Sequence, residues 1–554
     1  MTTTLKVRCL NTNTERDIPA GTNLHQLAEL FNLKSRYPFL GAMVNNKVKE
    51  MAYEIYKPKT VEFYDLTHKD GMRMYIRSLY FLLMKAVDEL NFDTFISIEH
   101  SVSNGFFCEI RDSKQGLNEE TIENIKRKMN ELVKQDLPFI RNEILNSEVI
   151  KIFENSKMPE KARLFKQSPS LYTSVYTLGD MTDYFYGFLV PSTGCLKKFG
   201  LKKFYNGMLL RVPNRGNPEK LRPFTEQDKM FEVLEEHKYR VEVLQAANIG
   251  QINEKVLKKQ AGDLIKIGEA LHEKKISTIA EQISQKESTK LILVSGPSSS
   301  GKTTFSKRLF IQFRVAGVTP VMVSLDNYFV DREKTPLDEN GDYDFESIEA
   351  LDLDLLNKDL NTLLEGGIIK VPTFDFADGT RHYNGDTMSL KNGGIIIAEG
   401  IHALNPRLTK DVDNMYKYRV YVSALTQICI DQHNRIPTTD NRLLRRMIRD
   451  HNFRGYSALD TLKRWDSVRR GEKRNIFPYQ EQADIMFNSA LIYELGVLKK
   501  HAEPLLKEIW QNQKEYAEAQ RLLKFLSYFK DIPEREIPPT SILREFLGNS
   551  TFDY

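Results

Sequence analysis

The stretch LILVSGPSSSGKTTFSKRLFIQFRVAG, residues 291–317, decides the reading of this chain. Leu291, Ile292, Leu293 and Val294 form a short, continuous apolar run, the pattern of a strand covered on both faces. Gly296, Pro297, Ser298, Ser299, Ser300, Gly301, Lys302 and Thr303 then match GxxxxGK[ST], and a helical pattern opens with Thr303 and Thr304. Glycines let the backbone wrap an anion, successive N–H groups point inward, and the helix N-terminus adds its positive dipole end. In that context Lys302 reaches the β- and γ-phosphates of a nucleotide, and the Thr303 hydroxyl is a magnesium ligand. ATP and Mg²⁺ are therefore the expected cofactors.

Outward from the loop, VTPVMVSL, GIIIAEG and YRVYVS alternate with helical segments. The expectation is an α/β fold with a doubly wound parallel sheet, preceded by α+β domains. A chain of 554 residues exceeds one hydrophobic core, and 41% hydrophobic with 28% charged residues is an ordinary globular composition. A net charge of +4 gives no general reason for nucleic-acid binding. Cys9, Cys108, Cys195 and Cys429 lie far apart without a CxxC pair, which speaks against a disulfide framework. The first residues lack a signal-peptide core and the apolar runs are too short to span a bilayer, so a cytoplasmic protein without membrane attachment is expected.

Three acidic or basic clusters follow the loop. SLDNYF (324–329) sets Asp326 at the carboxyl end of the second strand, the edge where open α/β sheets bind ligands. There it fits a proton acceptor and equally a turn or cap residue. IIIAEG (395–400) sets Glu399 at another strand end, fit to hold magnesium or simply to face solvent. RLLRRMIRDHNFRG (442–455) carries Arg442, Arg446 and Arg449 at helical spacing, either a phosphate clamp or a solvated basic face.

With GPSSSGKTT, SLDNYF, YDFESIEALD, VPTFDFADGTR, IIIAEGI, RRMIRDHNFRG and FPYQEQAD in this order, residues 290–490 resemble the uridine kinase and phosphoribulokinase family. The resemblance implies Asp326 as general base, Glu399 as magnesium support, and Arg446, Arg449 and Arg454 as phosphate-contacting arginines. It implies an acceptor side of Asp326, Tyr328, Glu346, Phe374 and Arg381. Glu346 stands where the family has a ribose-binding aspartate. Phe374 and Gly379 replace its base-reading tyrosine and histidine, and Tyr456 replaces a further arginine. Sites without polar groups discriminate weakly, so the base preference is open.

Residues 1–65 resemble the ubiquitin-like TGS domain, and residues 66–224 resemble the editing domain of threonyl-tRNA synthetases, HSVSNGFFCEIRD and LVPSTGCLKKF being the closest stretches. The HxxxH and CxxxH pairs of that domain align with Arg77, Phe81, Phe185 and Leu189, none of which replaces the lost ligands in a zinc site. A scaffold that aids a homo-oligomer and an RNA-contacting module both remain for this half. VPNRGNPEKLRPF (212–224) reads as a linker, 225–285 as a helical connector, 286–505 as the P-loop unit and 506–554 as a helical tail with a proline-broken end. The functional expectation is transfer of the γ-phosphoryl group of ATP to a nucleoside 5′-hydroxyl. The rivals are a kinase of another hydroxylated metabolite and an RNA- or ribosome-associated NTPase switch.

Overall fold

The computed structural model describes residues 4–90, 95–111, 117–156, 158–339, 341–376 and 378–554. Thr94 and Asp112, at the ends of two expected strands, lie outside the described residues.

Continuous apolar runs become central strands because both faces of each must be covered. Leu291–Ser295 and Ile395–Glu399 are buried at every position. They belong to a five-stranded sheet ordered Pro320–Ser324, Ile395–Glu399, Leu291–Ser295, Lys417–Ser423, Ile485–Asn488, in which every pairing is parallel. The strand before the P-loop is thus the middle one, with later strands on both sides, and the order reverses at its carboxyl end. That reversal opens a crevice for ligands. Each of its buried Leu, Ile and Val side chains contributes roughly 1.5–3 kcal/mol.

Two α+β units precede this sheet. In the first, Leu24–Leu30 lies beside a sheet ordered Thr14–Pro19, Thr4–Cys9, Lys59–Tyr64, Gly41–Val44, Lys47–Glu50. In the second, the long helix Lys69–Glu89 and Glu119–Gln135 pack with the sheet Gly200–Phe204, Gly207–Arg211, Gly105–Arg111, Phe95–Val102. The expected linker at 212–224 is instead a hairpin, Pro213–Asn214 against Asn217–Leu221. Val212 is fully buried and its carbonyl accepts from Arg222 N–H at 2.9 Å, so this proline- and glycine-rich segment is folded into the unit it follows.

The tail is a helix with a proline-broken end, and that end packs far from where it starts. After helix Tyr516–Leu526 the chain returns to the P-loop sheet, and Ile537, Ile542, Leu543 and Phe546 sit in one core with Ile292, Val294 and Phe305. Apolar residues scattered among prolines carry no period, and only distant partners bury them.

Buried charges join the units. Lys161 Nζ pairs with Asp183 and lies 2.8 Å from His433 Nδ1 and 3.5 Å from Asp431, all four side chains being almost wholly buried. Burial would raise the Asp183 carboxyl, but Lys161 and His433 hold it down at about 2. A second chain runs from Arg73 to Glu518 at 2.7 Å, from Glu518 to Arg521 at 2.7 Å, and from Arg521 to Asp440 at 2.7 Å.

Removing one member of a buried charge cluster leaves the others uncompensated. Lys161→Ala is expected to lower the unfolding free energy by roughly 3–5 kcal/mol, read from the shift of the urea midpoint; an unshifted midpoint contradicts the network's role. At the aligned zinc positions, the Phe81 and Phe185 rings pack 5.3 Å apart and Arg77 Nη1 donates to the Phe188 carbonyl at 2.6 Å. Elemental analysis of protein prepared without chelator is expected to find no stoichiometric zinc.

Candidate active site

The loop leaves the sheet through a passage only glycine allows: a Cβ on Gly296 would overlap the Val422 carbonyl of the neighbouring strand. Ser299 (φ 58°) and Gly301 (φ 81°) hold left-handed conformations that curl the backbone back toward the helix Lys302–Val315. Gly301 adopts this freely, whereas Ser299 costs on the order of 1 kcal/mol, strain of the kind kept at binding loops. The Ser299 and Ser300 hydroxyls are buried without a hydrogen-bond partner. With the first N–H groups of the helix, they make a cradle of donors suited to phosphate.

Glu399 ends its strand beside this cradle, where its Oε1 accepts from the Thr303 hydroxyl at 3.2 Å. Burial, then the charge of Asp326, pushes its carboxyl up to about 7, against Lys302 and the Thr303 hydrogen bond. Asp326 lies in the turn Leu325–Tyr328 immediately after strand Pro320–Ser324. Lys302, Thr303, Glu399 and Asp326, from two strand ends and one helix start, are therefore brought together. Thr303 with Glu399 is an all-oxygen donor set of the sort that suits magnesium.

The arginines divide into two groups. Arg442 and Arg445 are buried; Arg442 pairs with both oxygens of Glu472 and Arg445 with Glu494. The Arg442 guanidinium is paired with a buried carboxylate, as burial of its charge requires, and its Nη1 also lies 3.5 Å from the Ser298 carbonyl of the loop. Arg446 donates to the Ser298 Oγ at 2.9 Å. Asp450 holds Arg446 (3.2 Å), Arg449 (2.8 Å) and Arg454 (3.8 Å). Burial and Arg449 bring the Arg454 guanidinium down to about 10, with Asp450 and Asp326 opposing. Asp450 was overlooked in the sequence, although its spacing of four to Arg446 and to Arg454 was the available signal.

Across the crevice, the hairpin Ile368–Asp375 with Thr380–Ser389 adds an aromatic wall. Phe374 packs 5.5 Å from Phe329 and 5.1 Å from Phe376, whose ring is half exposed. Next to it, Glu346 Oε2 is shut from solvent without a hydrogen-bond partner, and a Cβ on Gly471 would overlap the Glu346 side chain. Two expected acceptor residues are engaged elsewhere. Tyr328 is buried and donates to Asp359 at 3.0 Å, and Arg381 pairs with Asp352 at 3.0 Å. The last cradle residue, Thr304, donates its hydroxyl to Glu545 at 2.6 Å, a contact without any local signal in the sequence.

A family model described as "Phosphoribulokinase / Uridine kinase family" matches residues 291–492. A uridine kinase of Staphylococcus aureus (strain JH9) is 31% identical over 201 residues, 36% of this chain and 87% of that protein. A threonine--tRNA ligase of Clostridium kluyveri (strain NBRC 12016) is 29% identical over 189 residues, 34% of this chain, which spans only 30% of that ligase's length. Among solved structures, one described as a possible uridine kinase from Bacillus stearothermophilus is similar at 18% identity and a TM-score of 0.25, over 36% of this chain and 89% of that one. D-glycerate 3-kinase from Cryptococcus neoformans var. grubii is similar at 12% identity and a TM-score of 0.23, over 47% and 89%. With a uridine kinase matched over most of its length, in the segment that carries the cradle and the strand-end carboxylates, the chain belongs to the phosphoribulokinase / uridine kinase family of P-loop kinases.

Proposed function

We propose that this protein phosphorylates the 5′-hydroxyl of a nucleoside with ATP. The observation that carries the reading is the meeting of the Lys302–Thr303 cradle with two strand-end carboxylates, Glu399 bonded to Thr303 and Asp326 close enough for its charge to act on Glu399. The similarity to a uridine kinase over 87% of its length supports a nucleoside acceptor.

In this reading the acceptor oxygen forms a bond to the γ-phosphorus, the bond from that phosphorus to the β,γ-bridging oxygen breaks, and ADP departs. The hydroxyl proton passes to Asp326. Lys302 and the loop N–H groups hold the phosphates, while Arg446, Arg449 and Arg454 face the charge that spreads over the transferring group. Thr303 and Glu399 would hold magnesium, which neutralises phosphate charge. Phe374 and Phe376 give the base an apolar face, and the free Glu346 oxygen is an acceptor for sugar hydroxyls. The lack of polar groups at Phe374 and Gly379 favours a loose base preference.

An ADP-release screen over nucleosides and sugar alcohols is expected to give turnover with nucleosides; turnover with sugar alcohols alone, or RNA-dependent hydrolysis without an acceptor, contradicts the reading. Asp326→Asn is expected to lower kcat by a factor on the order of 10² to 10⁴ while ATP affinity stays near that of the parent, measured by single-turnover transfer beside equilibrium binding.

Burial raises the Glu346 carboxyl from 4.5 to about 7, against Arg446, with Glu472 adding to the rise. Its folded-state value lies above its unfolded one, so the folded protein holds the extra proton between the two and loses stability as pH rises through that window. Glu346→Gln is expected to flatten the loss by on the order of 2 kcal/mol in urea unfolding followed from pH 4.5 to pH 7, and to raise KM for the acceptor more than it lowers kcat. A slope identical to the parent's counts against this burial.

A further inference from the structure

The end of the chain reaches the nucleotide cradle. Ile542 and Phe546 are fully buried in the core under the loop. The Ile542 Cγ2 atom lies 2.5 Å from the position a Cβ would take on Gly301, and the Phe546 ring supports Arg445 at 5.1 Å. Asn452 Nδ2 donates to the Phe546 carbonyl at 3.1 Å, tying the segment to the arginine helix Thr438–Arg454. Between these anchors, Glu545 faces Thr304. Its Oε2 accepts from the Thr304 backbone N–H at 3.2 Å and from the Thr304 hydroxyl at 2.6 Å. The same hydroxyl lies 2.9 Å from the Tyr554 hydroxyl.

Thr304 is the third residue of the helix that follows the loop, so its N–H has no intrahelical carbonyl to meet. Free N–H groups at this helix start are what a P-loop offers to the phosphates of its nucleotide. In this protein a side-chain carboxylate 241 residues further along the chain already sits on one of them. Two anions cannot share that donor: a phosphate oxygen brought to Thr304 meets the Glu545 charge at van der Waals range.

We propose that Glu545, with Tyr554 on the same Thr304 hydroxyl, is an intramolecular competitor of the phosphate donor, whose side chain must leave Thr304 before the nucleotide seats fully. The proposal rests on residues 296–304 being the donor site. The buried anchors keep the backbone of the segment in place, so the exchange involves the Glu545 side chain and the exposed Tyr554, beyond the turn at Gly548 (φ 89°). A competing contact of this kind lowers the apparent affinity by the fraction of molecules in which the seat is free.

The test is calorimetric titration of the 554-residue chain with MgADP. Glu545→Ala is expected to bind about tenfold more tightly than the parent, Glu545→Gln by a smaller factor in the same direction because the amide still accepts but carries no charge, and Tyr554→Phe by less again. Affinity at or below the parent's in both Glu545 variants overturns the proposal, since Glu545 is then indifferent to the nucleotide or helps to hold it. Should Glu545→Ala fail to fold, as judged by its thermal melt, Glu545→Gln decides alone. Lys302→Ala in the parent and in the Glu545→Gln background separates the two levels of the argument. Loss of binding in both confirms that the nucleotide lies at the loop. Unchanged binding in both removes the donor-site reading, and with it the proposal.

Discussion

The close passage of Gly296 beneath the Val422 carbonyl is the constraint on which the site depends. It lets the chain turn out of the middle strand without displacing the strand beside it, and the turn delivers the start of a helix to the carboxyl edge of the sheet. Any side chain at this position would force the two strands apart and carry Lys302 and Thr303 away from Glu399. The all-parallel order then does the rest, because each crossover returns its strand in the same direction and sets Asp326 and Glu399 on the same edge.

Charge at this edge is held in a low-dielectric setting and is mostly pre-oriented. Asp450 gathers three guanidiniums from one helix and keeps them close despite their mutual repulsion. Glu399 and Glu346 carry raised carboxyls because burial penalises their ionised forms. The pull of Glu545 on Thr304 belongs to the same electrostatics, with the chain's own carboxylate set against an incoming phosphate.

The N-terminal units are fastened to this arrangement by buried ions rather than by flexible linkage. Lys161 and Asp183 meet Asp431 and His433, and Arg73 connects through Glu518 and Arg521 to Asp440 in the first turn of the arginine helix. Buried ion pairs give little net stability but are sensitive to geometry, so they fix how these surfaces meet. Within the second unit Phe81 and Phe185 pack against each other as core.

By itself the sequence determined the local features of this protein. The apolar run at 291–294, the glycines and Lys302 of the loop, and the acidic strand ends at Asp326 and Glu399 are short-range patterns whose meaning comes from strand and helix periodicity. Tertiary structure decided whatever depends on partners far along the chain. It committed Arg442 to Glu472 while leaving Arg446 on the loop, it turned Tyr328 toward Asp359, and it folded 212–224 into a hairpin. It also brought Glu545 to Thr304 across 241 residues. Side chains of one type at neighbouring helical positions look alike in sequence, and only the fold decides which carboxylate each one meets, Glu472 for Arg442 and Asp450 for Arg446.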